Sequence, residues 1–392
     1  MSVQRVTRVA VVCDFREENW HSMNLVADML VEGLRAGHAG SFEATRVCPP
    51  MRRRFTRDGA SAGARFNADR LLNRFVWYPR HLRRERARFD LFHVVDHSYA
   101  HLVRHLPPGR AVVTCHDLDT FRCVLEPEAE PRPAPFRAMT RRVLEGFRKA
   151  ARVACDSHAT RDELLAHKLL PPARVVVIPN GVHPSFARKP FGDAVGEAER
   201  LLGRVCDDSV ELLHVGSTAG RKRVDVLLET FACVRAEFPS ARLVRVGGPL
   251  TREQGALAEA LGVSGAIVTL PHLSAETLAA VYRRAALLLL PSEREGFGLP
   301  LVEALSCATP AVASDLPVLR EVGGDAAVAY CRVADSRAFA GTVVRLLRER
   351  ESDPRAWARR CEAGARRAAQ FTWREYVERV VALYREVLDS RE

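Results

Sequence analysis

Short apolar runs alternate along this chain with longer segments whose apolar residues recur at helical spacing. A run of four to six apolar residues is typical of a buried strand, and a longer amphipathic segment is typical of a helix. Strands that alternate with helices through short loops form right-handed parallel crossovers. The sequence therefore predicts an α/β protein with doubly wound, parallel sheets.

The predicted elements cover both halves of the chain. In the first half, strands are predicted at residues 8–13, 91–95, 111–115, 153–155 and 175–178, and helices at residues 23–36 and 136–150. Thr160 and Glu163 form a capping-box pattern before Leu164, which predicts the start of another helix. In the second half, strands are predicted at residues 210–215, 241–246, 266–270, 287–290 and 311–313, and helices at residues 224–237, 251–261, 275–285, 300–307 and 373–388.

A chain of 392 residues is long enough for two domains, each with its own core. After residues 179–181 the sequence becomes polar and contains Pro184, Pro190 and Gly192. This stretch is the predicted linker. Because ligands bind at the carboxyl ends of parallel strands, we expect the active site in a cleft between the two domains.

Residues 295–303 combine an anion site with two carboxylates that can bind sugars. They follow the predicted strand at 287–290, and their glycines let the backbone approach a ligand closely. Pro300 suits the first turn of a helix, so a helix N-terminus is expected to face the strand edge and favour a phosphate. Glu295 and Glu303 can each accept hydrogen bonds from hydroxyls. A pyrophosphate, a ribose and a hexose would satisfy all three groups.

This string, Glu-Gly-Phe-Gly-Leu-Pro-Leu-Val-Glu, resembles the signature of the GT-B retaining glycosyltransferases of family four, the glycosyl transferases group 1. The likeness continues through residues 308–317 and 321–325, includes residues 178–182 and 213–216 upstream, and is strong from 150 to 350. It implies two Rossmann-like doubly wound domains facing a cleft. The implied domains are an acceptor-binding domain at residues 1–185, a nucleotide-sugar-binding domain at 186–370, and a C-terminal helix at 371–392 that crosses back to the first domain.

The resemblance implies an enzyme that moves a sugar, with retention, from a nucleotide diphosphate sugar to an acceptor hydroxyl on a glycan, a lipid-linked molecule or a small molecule. The nucleotide sugar is a co-substrate, and neither a cofactor nor a metal is expected. A sugar-nucleotide epimerase or hydrolase of the same fold and a non-catalytic nucleotide-sugar-binding module remain alternatives. A glycoside hydrolase also uses paired carboxylates, about 5 to 9.5 Å apart, but it has no use for Lys222 and a phosphate-binding helix end.

The resemblance also assigns site residues. The expected catalytic residues are His116, Glu295 and Lys222, of which Lys222 would supply a point charge to the leaving pyrophosphate. Similar enzymes carry an arginine directly after the glycine, where this chain has Ser217, and Arg221 is its possible replacement. The expected nucleotide-sugar-binding residues are Gly216, Ser217, Arg221, Lys222, His272, Leu273, Glu295, Gly296, Phe297, Gly298, Leu299 and Glu303.

The first half departs from the family, because residues 14–20 replace the usual glycine-rich loop after the first strand. The acceptor-binding residues predicted there and nearby are Asn19, Trp20, Asp96 and Asp117. His116 follows the predicted strand at 111–115; a histidine at such a place is often structural, but the resemblance makes it the residue that holds the transferred sugar.

The net charge of +11 has two interpretations. Arginine-rich composition alone explains it if the side chains are merely solvated. A local cluster of arginines beside aromatic and aliphatic residues instead favours peripheral contact with an anionic membrane. No nucleic-acid-binding motif accompanies the charge. The basic cluster contains Arg52, Arg53, Arg54, Arg80, Arg83, Arg84, Arg86 and Arg88.

Composition otherwise indicates an ordinary globular enzyme, with 47% hydrophobic and 27% charged residues. No apolar run reaches membrane-spanning length and no signal peptide is evident, so we expect a cytoplasmic protein, with possible binding to the inner face of the membrane. The ten cysteines form no Cys-x-x-Cys pairs, and buried free thiols explain them.

Three further patterns are discounted. His93, His97, His101 and His105 recur every fourth residue, but His93 lies in a predicted strand, so the four cannot share one helical face. The Asp117-Leu118-Asp119 pattern is too short to predict a metal site. Residues 59–63 match a nucleophile elbow in letters only, because no apolar strand precedes them.

Overall fold

The computed structural model describes residues 5–56, 63–187, 193–203 and 210–390. The chain divides into two compact units, one formed by Met1–Asn180 with Trp373–Glu392 and the other by Gly181–Thr372. Pro190 and Gly192 of the predicted linker lie outside the described residues, as do residues 59–62 of the discounted elbow pattern.

The first unit is built on six parallel strands in the order β2-β1-β3-β4-β5-β6. The strands are β1 (Thr7–Val12), β2 (Phe42–Val47), β3 (Leu91–Val94), β4 (Ala111–Cys115), β5 (Arg152–Cys155) and β6 (Val175–Val177). The α-helices between them are α1 (His21–Gly37), α2 (Ala64–Leu72), α3 (Tyr78–Glu85), α4 (Arg122–Leu125), α5 (Ala134–Phe147) and α6 (His158–Ala166). A π-helical turn spans Asn73–Trp77, and 3-10 helices span Arg16–Glu18, Arg86–Arg88, His97–His105 and Pro172–Arg174.

The second unit also contains a six-stranded parallel sheet, in the order β12-β11-β10-β7-β8-β9. Its strands are β7 (Glu211–Val215), β8 (Arg242–Val246), β9 (Ile267–Leu270), β10 (Leu287–Leu290), β11 (Ala311–Ser314) and β12 (Val328–Cys331). Its α-helices are α7 (Ala194–Leu202), α8 (Val224–Glu237), α9 (Arg252–Ala260), α10 (Ala275–Arg284), α11 (Leu299–Ser306), α12 (Pro317–Gly323), α13 (Ser336–Ser352) and α14 (Pro354–Ala368), with 3-10 helices at Pro184–Phe186, Gly220–Lys222 and Ser264–Ala266.

The last helix, α15 (Trp373–Asp389), belongs to the first unit. Its apolar face joins the same core cluster as α1 and strand β1. The Tyr384 hydroxyl of this helix forms a hydrogen bond of 2.7 Å with Nδ1 of the fully buried His93 in β3. A helix from the C-terminal end of the sequence therefore covers part of the sheet of the first unit.

The prediction of two doubly wound parallel sheets is confirmed. Strand β10 shows the underlying pattern, because all four of its leucines are completely buried, as expected for a strand covered on both faces. The discounted histidine pattern is also explained, since His93 lies in β3 and His97, His101 and His105 lie in a 3-10 helix.

The prediction of local structure was wrong at the start of α6 and missed several elements. Helix α6 begins at His158 and is capped by Ser157, whose hydroxyl accepts from the Thr160 amide at 3.1 Å; Thr160 is not the cap, because it lies inside the first turn. Strand β2 was not predicted, although its residues alternate between buried and exposed from Phe42 to Ala44 and beyond. It pairs only with β1 and forms the edge of its sheet, where a half-exposed sequence suffices. The other elements that were not predicted are strand β12 and helices α2, α3, α4, α7, α12, α13 and α14.

Candidate active site

The loop after β10 leads directly into helix α11, as the sequence predicted for residues 295–303. Gly298 adopts a φ of 88° immediately before the helix, and a side chain there would come within 2.7 Å of Leu319. Pro300 lies in the first turn of α11, where its missing N–H costs no hydrogen bond. Glycine and proline thus fix where this helix begins.

Lys222 and Glu295 form an ion pair at this loop. The Lys222 Nζ lies 2.6 Å from Glu295 Oε1, and both side chains are more than nine-tenths buried. Arg221 NH1 lies 3.7 Å from the other Glu295 oxygen and donates to the Arg294 carbonyl at 3.2 Å. Burial alone would raise the pKa of Glu295, but the charges of Lys222 and Arg221 lower it overall, so this carboxyl is ionised.

Glu303 lies on α11 and is buried. Its Oε2 accepts a hydrogen bond from the Tyr282 hydroxyl at 2.9 Å. Burial raises the pKa of Glu303 to about 8, since no cation compensates for the lost hydration. At pH 7 Glu303 therefore carries a proton, whereas the sequence predicted a charged acceptor.

The remaining predicted donor residues are distributed over the same unit. Gly216 follows β7, and its amide donates to the Val246 carbonyl at 2.9 Å. Ser217 accepts only a weak local bond from the Ala219 amide at 3.4 Å. His272 is exposed and Leu273 is half-buried, in the loop between β9 and α10. The other predicted residues, Gly296, Phe297, Gly298 and Leu299, lie in the loop and first turn before Pro300.

The ring of Phe297 packs inside its own unit. It is buried and contacts Phe371 edge-on, with ring centroids 5.6 Å apart. Its side chain therefore stabilises the loop, and the part of Phe297 available to a ligand is the main chain.

In the first unit, His116 is held by two acceptors at the carboxyl ends of the strands. Its Nδ1 lies 2.5 Å from Asp156 Oδ2, and its Nε2 lies 2.7 Å from the Val95 carbonyl. Burial alone would lower the pKa of His116, but the charge and hydrogen bond of Asp156 raise it to about 9. Both ring nitrogens thus donate and the ring is an imidazolium at neutral pH. In this conformation neither nitrogen is available to a substrate hydroxyl.

Asp156 and Asn180 complete this network and were not among the predicted site residues. Asn180 Nδ2 donates to Asp156 Oδ2 at 2.9 Å, and both side chains are buried. Asp156 directly follows β5, and a carboxylate at the end of a buried parallel strand is the signal that could have identified it.

The predicted acceptor residues form two groups. His97 lies between Asp96 and Asp117, with Nδ1 3.4 Å from Asp96 Oδ1 and Nε2 3.6 Å from Asp117 Oδ1. Burial and the neighbouring Asp96 raise the pKa of Asp14 well above its ordinary value. The structure therefore brings Asp96 and Asp117 together and adds Asp14 and His97 to them.

Asn19 and Trp20 lie in the other group and are exposed. Trp20 Nε1 donates to Glu18 at 3.1 Å, and Glu18 in turn pairs with Arg74 at 3.4 Å and accepts from the Tyr99 hydroxyl at 2.9 Å.

Among the described residues, no cluster of three or more histidines, cysteines or acidic residues has the arrangement of a metal site.

Two family models match the chain. The model of the glycosyl transferases group 1 matches residues 205–364, and that of glycosyltransferase family 4 matches residues 25–186. The chain is 33% identical over 248 residues to a D-inositol 3-phosphate glycosyltransferase from Geodermatophilus obscurus, covering 60% of this chain and 52% of that protein. A protein of the same name from Kineococcus radiotolerans is 33% identical over 67% of this chain and 62% of its own length. The chain thus spans about half the length of the first of these curated relatives.

Solved structures share the fold over almost the whole chain. Sucrose-phosphate synthase from Thermosynechococcus elongatus has a TM-score of 0.77 at 19% identity, covering 98% of this chain and all of that one. Anabaena HepE in complex with UDP and glucose has a TM-score of 0.71 at 15% identity, with the same coverage. At these identities the likeness concerns the fold alone.

Proposed function

Since the chain belongs to the glycosyl transferases of group 1, we propose that it moves a sugar, with retention, from a nucleotide diphosphate sugar to a hydroxyl-bearing acceptor. The observation that carries this proposal is the buried pair of Lys222 with Glu295, flanked by Arg221 and placed beside the start of α11. Cations beside a helix N-terminus suit a diphosphate, and an ionised carboxylate beside them suits the hydroxyls of the sugar.

The donor half-site consists of groups with separate tasks. Lys222 and Arg221 neutralise the diphosphate, and the backbone at the start of α11 donates to it. Glu295 orients the transferred sugar, and Glu303 accepts from the ribose hydroxyls beside Tyr282. Loss of the nucleotide diphosphate breaks the bond from the anomeric carbon to the phosphate oxygen and leaves an oxocarbenium-like sugar. The acceptor oxygen then bonds to that carbon on the same face, and its proton passes to the leaving phosphate oxygen.

His116 contributes a charged donor from the first unit. Asp156 keeps its imidazole protonated, so the ring can exchange the Val95 carbonyl for a hydroxyl of the sugar without losing its charge. Asp96, Asp117, Asn19 and Trp20 bind the acceptor, which makes the first unit the acceptor-binding domain. The relatives named for D-inositol 3-phosphate make polyols and their phosphates the first acceptors to test.

The reaction proceeds without a divalent metal in this proposal, because the charges of Lys222 and Arg221 already cover the leaving diphosphate.

Peripheral contact with an anionic membrane is a further part of the proposal. Three arginines lie over one indole ring: the guanidinium carbons of Arg52, Arg54 and Arg80 are 4.3, 5.4 and 5.6 Å from the Trp77 ring centroid. Phe55 beside them is half-exposed. No helix of the described residues is both long enough and apolar enough to span a bilayer. A fixed group of cations beside an exposed aromatic residue, Phe55, suits an anionic lipid surface.

A matched pair of variants tests the transferase proposal. Lys222→Gln removes the cation paired with Glu295, whereas Arg223→Gln removes a neighbouring cation that pairs with Asp225 instead. We expect kcat/KM for transfer, or for hydrolysis of the donor without acceptor, to fall about 100- to 1,000-fold in Lys222→Gln. Arg223→Gln should remain close to the unmodified protein. Equal activity of both variants, or an unmodified protein that binds nucleotide sugars without turning them over, would refute the proposed role.

A further inference from the structure

Arg245 is the largest completely buried side chain of the described residues and lies in strand β8. Its guanidinium donates to the Gly216 carbonyl at 3.0 Å and to the Gly248 carbonyl. These carbonyls belong to the two loops that follow the adjacent strands β7 and β8. One side chain therefore ties together two loops at the edge of the sheet where ligands of such folds bind.

The backbone is shaped for this connection. Gly247 has a φ of 128°, and a side chain there would approach the Gly216 carbonyl oxygen to 2.3 Å. Only glycine allows the two loops to lie this close. Because the peptide after Gly216 is trans, its carbonyl points toward Arg245 and the Ser217 N–H points to the opposite side. Arg245 thus fixes the direction of an amide donor in the loop that leads to Lys222.

The charge of Arg245 has no counter-charge among the described residues. It forms no ion pair with any carboxylate in the part of the chain that the structure describes, and burial lowers its pKa with no charged partner to offset the effect, although buried charges are normally paired. His214 lies opposite it in register. Burial, followed by the charges of Arg245 and Lys222, lowers the pKa of His214 to about 3, so this histidine remains neutral. Glu295, the carboxylate of this region, is already paired with Lys222.

We propose that Arg245 is a positioning residue for the diphosphate of the donor: it orients the loops at Gly216 and Gly248, and its buried charge is neutralised when the diphosphate binds. The inference rests on the proposed function, because it assigns the anion of that same site. It adds a residue from the interior of strand β8 to those supplied by the loop at Lys222 and the start of α11. It also explains why an arginine lies among the buried apolar residues Leu243, Val244 and Val246 of this strand.

The test compares Arg245→Met with Arg242→Met. Arg242 lies on the same strand but is partly exposed, with NH1 3.6 Å from Glu211 and 3.1 Å from the Leu202 carbonyl. Calorimetry with UDP, uridine and inorganic pyrophosphate separates the phosphate contacts from those of the base. We expect Arg245→Met to weaken UDP and pyrophosphate binding about 10- to 100-fold and to leave uridine binding unchanged. Arg242→Met should change none of the three.

The inference is overturned if a folded Arg245→Met variant binds pyrophosphate as tightly as the unmodified protein does, or if it loses affinity for uridine and UDP equally. It is also overturned if the unmodified protein binds neither UDP nor pyrophosphate. If Arg245→Met does not fold, Arg245→Lys replaces it, because lysine keeps the charge but cannot reach both carbonyls. A smaller loss confined to the phosphate-bearing ligands is then expected, and unchanged affinity contradicts the inference. A protein that binds pyrophosphate through Arg245 but transfers no sugar counts against the proposed function alone.

Discussion

Glu303→Gln should stabilise the protein, and the gain should depend on pH. The folded state holds a proton on Glu303 up to about pH 8, whereas the unfolded chain releases it near 4.5. The folded state therefore binds the extra proton between these values, and the stability of the unmodified protein falls as the pH rises through this window. Glutamine is always neutral, and it keeps an oxygen that can accept from Tyr282.

The size of the effect follows from the change in pKa. A rise from 4.5 to about 8 corresponds to a penalty of about 5 kcal/mol once the carboxyl is forced to ionise. Urea unfolding at pH 5 and pH 9 should show the two proteins within about 1 kcal/mol at the lower pH. At pH 9 the variant should be more stable by an amount that approaches the full penalty.

A control and a refuting result complete this experiment. Glu362→Gln alters a half-exposed carboxylate of α14 that makes only a 4.0 Å contact with Arg366, so its effect should be small at both pH values. If the difference between Glu303→Gln and the unmodified protein is the same at pH 5 and pH 9, Glu303 is ionised in the folded protein. Burial would then not raise the pKa of Glu303.

Three other predictions address the proposed function. Activity should survive EDTA, because Lys222 and Arg221 cover the leaving charge; complete loss that manganese or magnesium restores would instead point to Asp117 and Asp119 as ligands. Asp156→Asn removes the first of the charges that raise the pKa of His116 to about 9, so the pKa measured by NMR should fall and the alkaline limit of activity should move to lower pH. An unchanged pKa would contradict this. Replacing Arg80, Arg83, Arg84 and Arg86 with glutamine should abolish co-sedimentation with anionic vesicles at low salt, since each basic residue contributes about 1 kcal/mol near such a surface. Hydrolysis of the donor should be unaffected. Lack of vesicle binding by the unmodified protein would refute membrane contact.

Local sequence was sufficient to predict an element or its end wherever the residues have one strong conformational preference. The four leucines of β10 predict a strand buried on both faces, and Gly298 with Pro300 predicts where α11 begins, because these preferences act within a few residues. The start of α6 shows the limit of such patterns. Ser157 and Thr160 both suit a cap, and only the extended backbone at Ser157 identifies the one that is used.

In the candidate site too, the sequence identified single residues but not the contacts between them. The sequence identified Lys222 and Glu295 through their motifs, but not the 2.6 Å contact between residues 73 positions apart. It provided no indication that His116 would pair with Asp156, from the next strand of the sheet, or that Asn180 would join them.

The sequence by itself determined the alternation of strands with helices and the residue types available at the ends of the predicted elements, because both depend on near neighbours. Only the tertiary structure decided the protonation of Glu303 and His116 and the burial of Arg245 between two loops. These properties arise from the water that distant segments exclude and from the charges that they bring into contact. A carboxyl with a pKa of about 8 and an imidazole with a pKa of about 9 have ordinary sequence neighbours, and their unusual surroundings exist only in the folded protein.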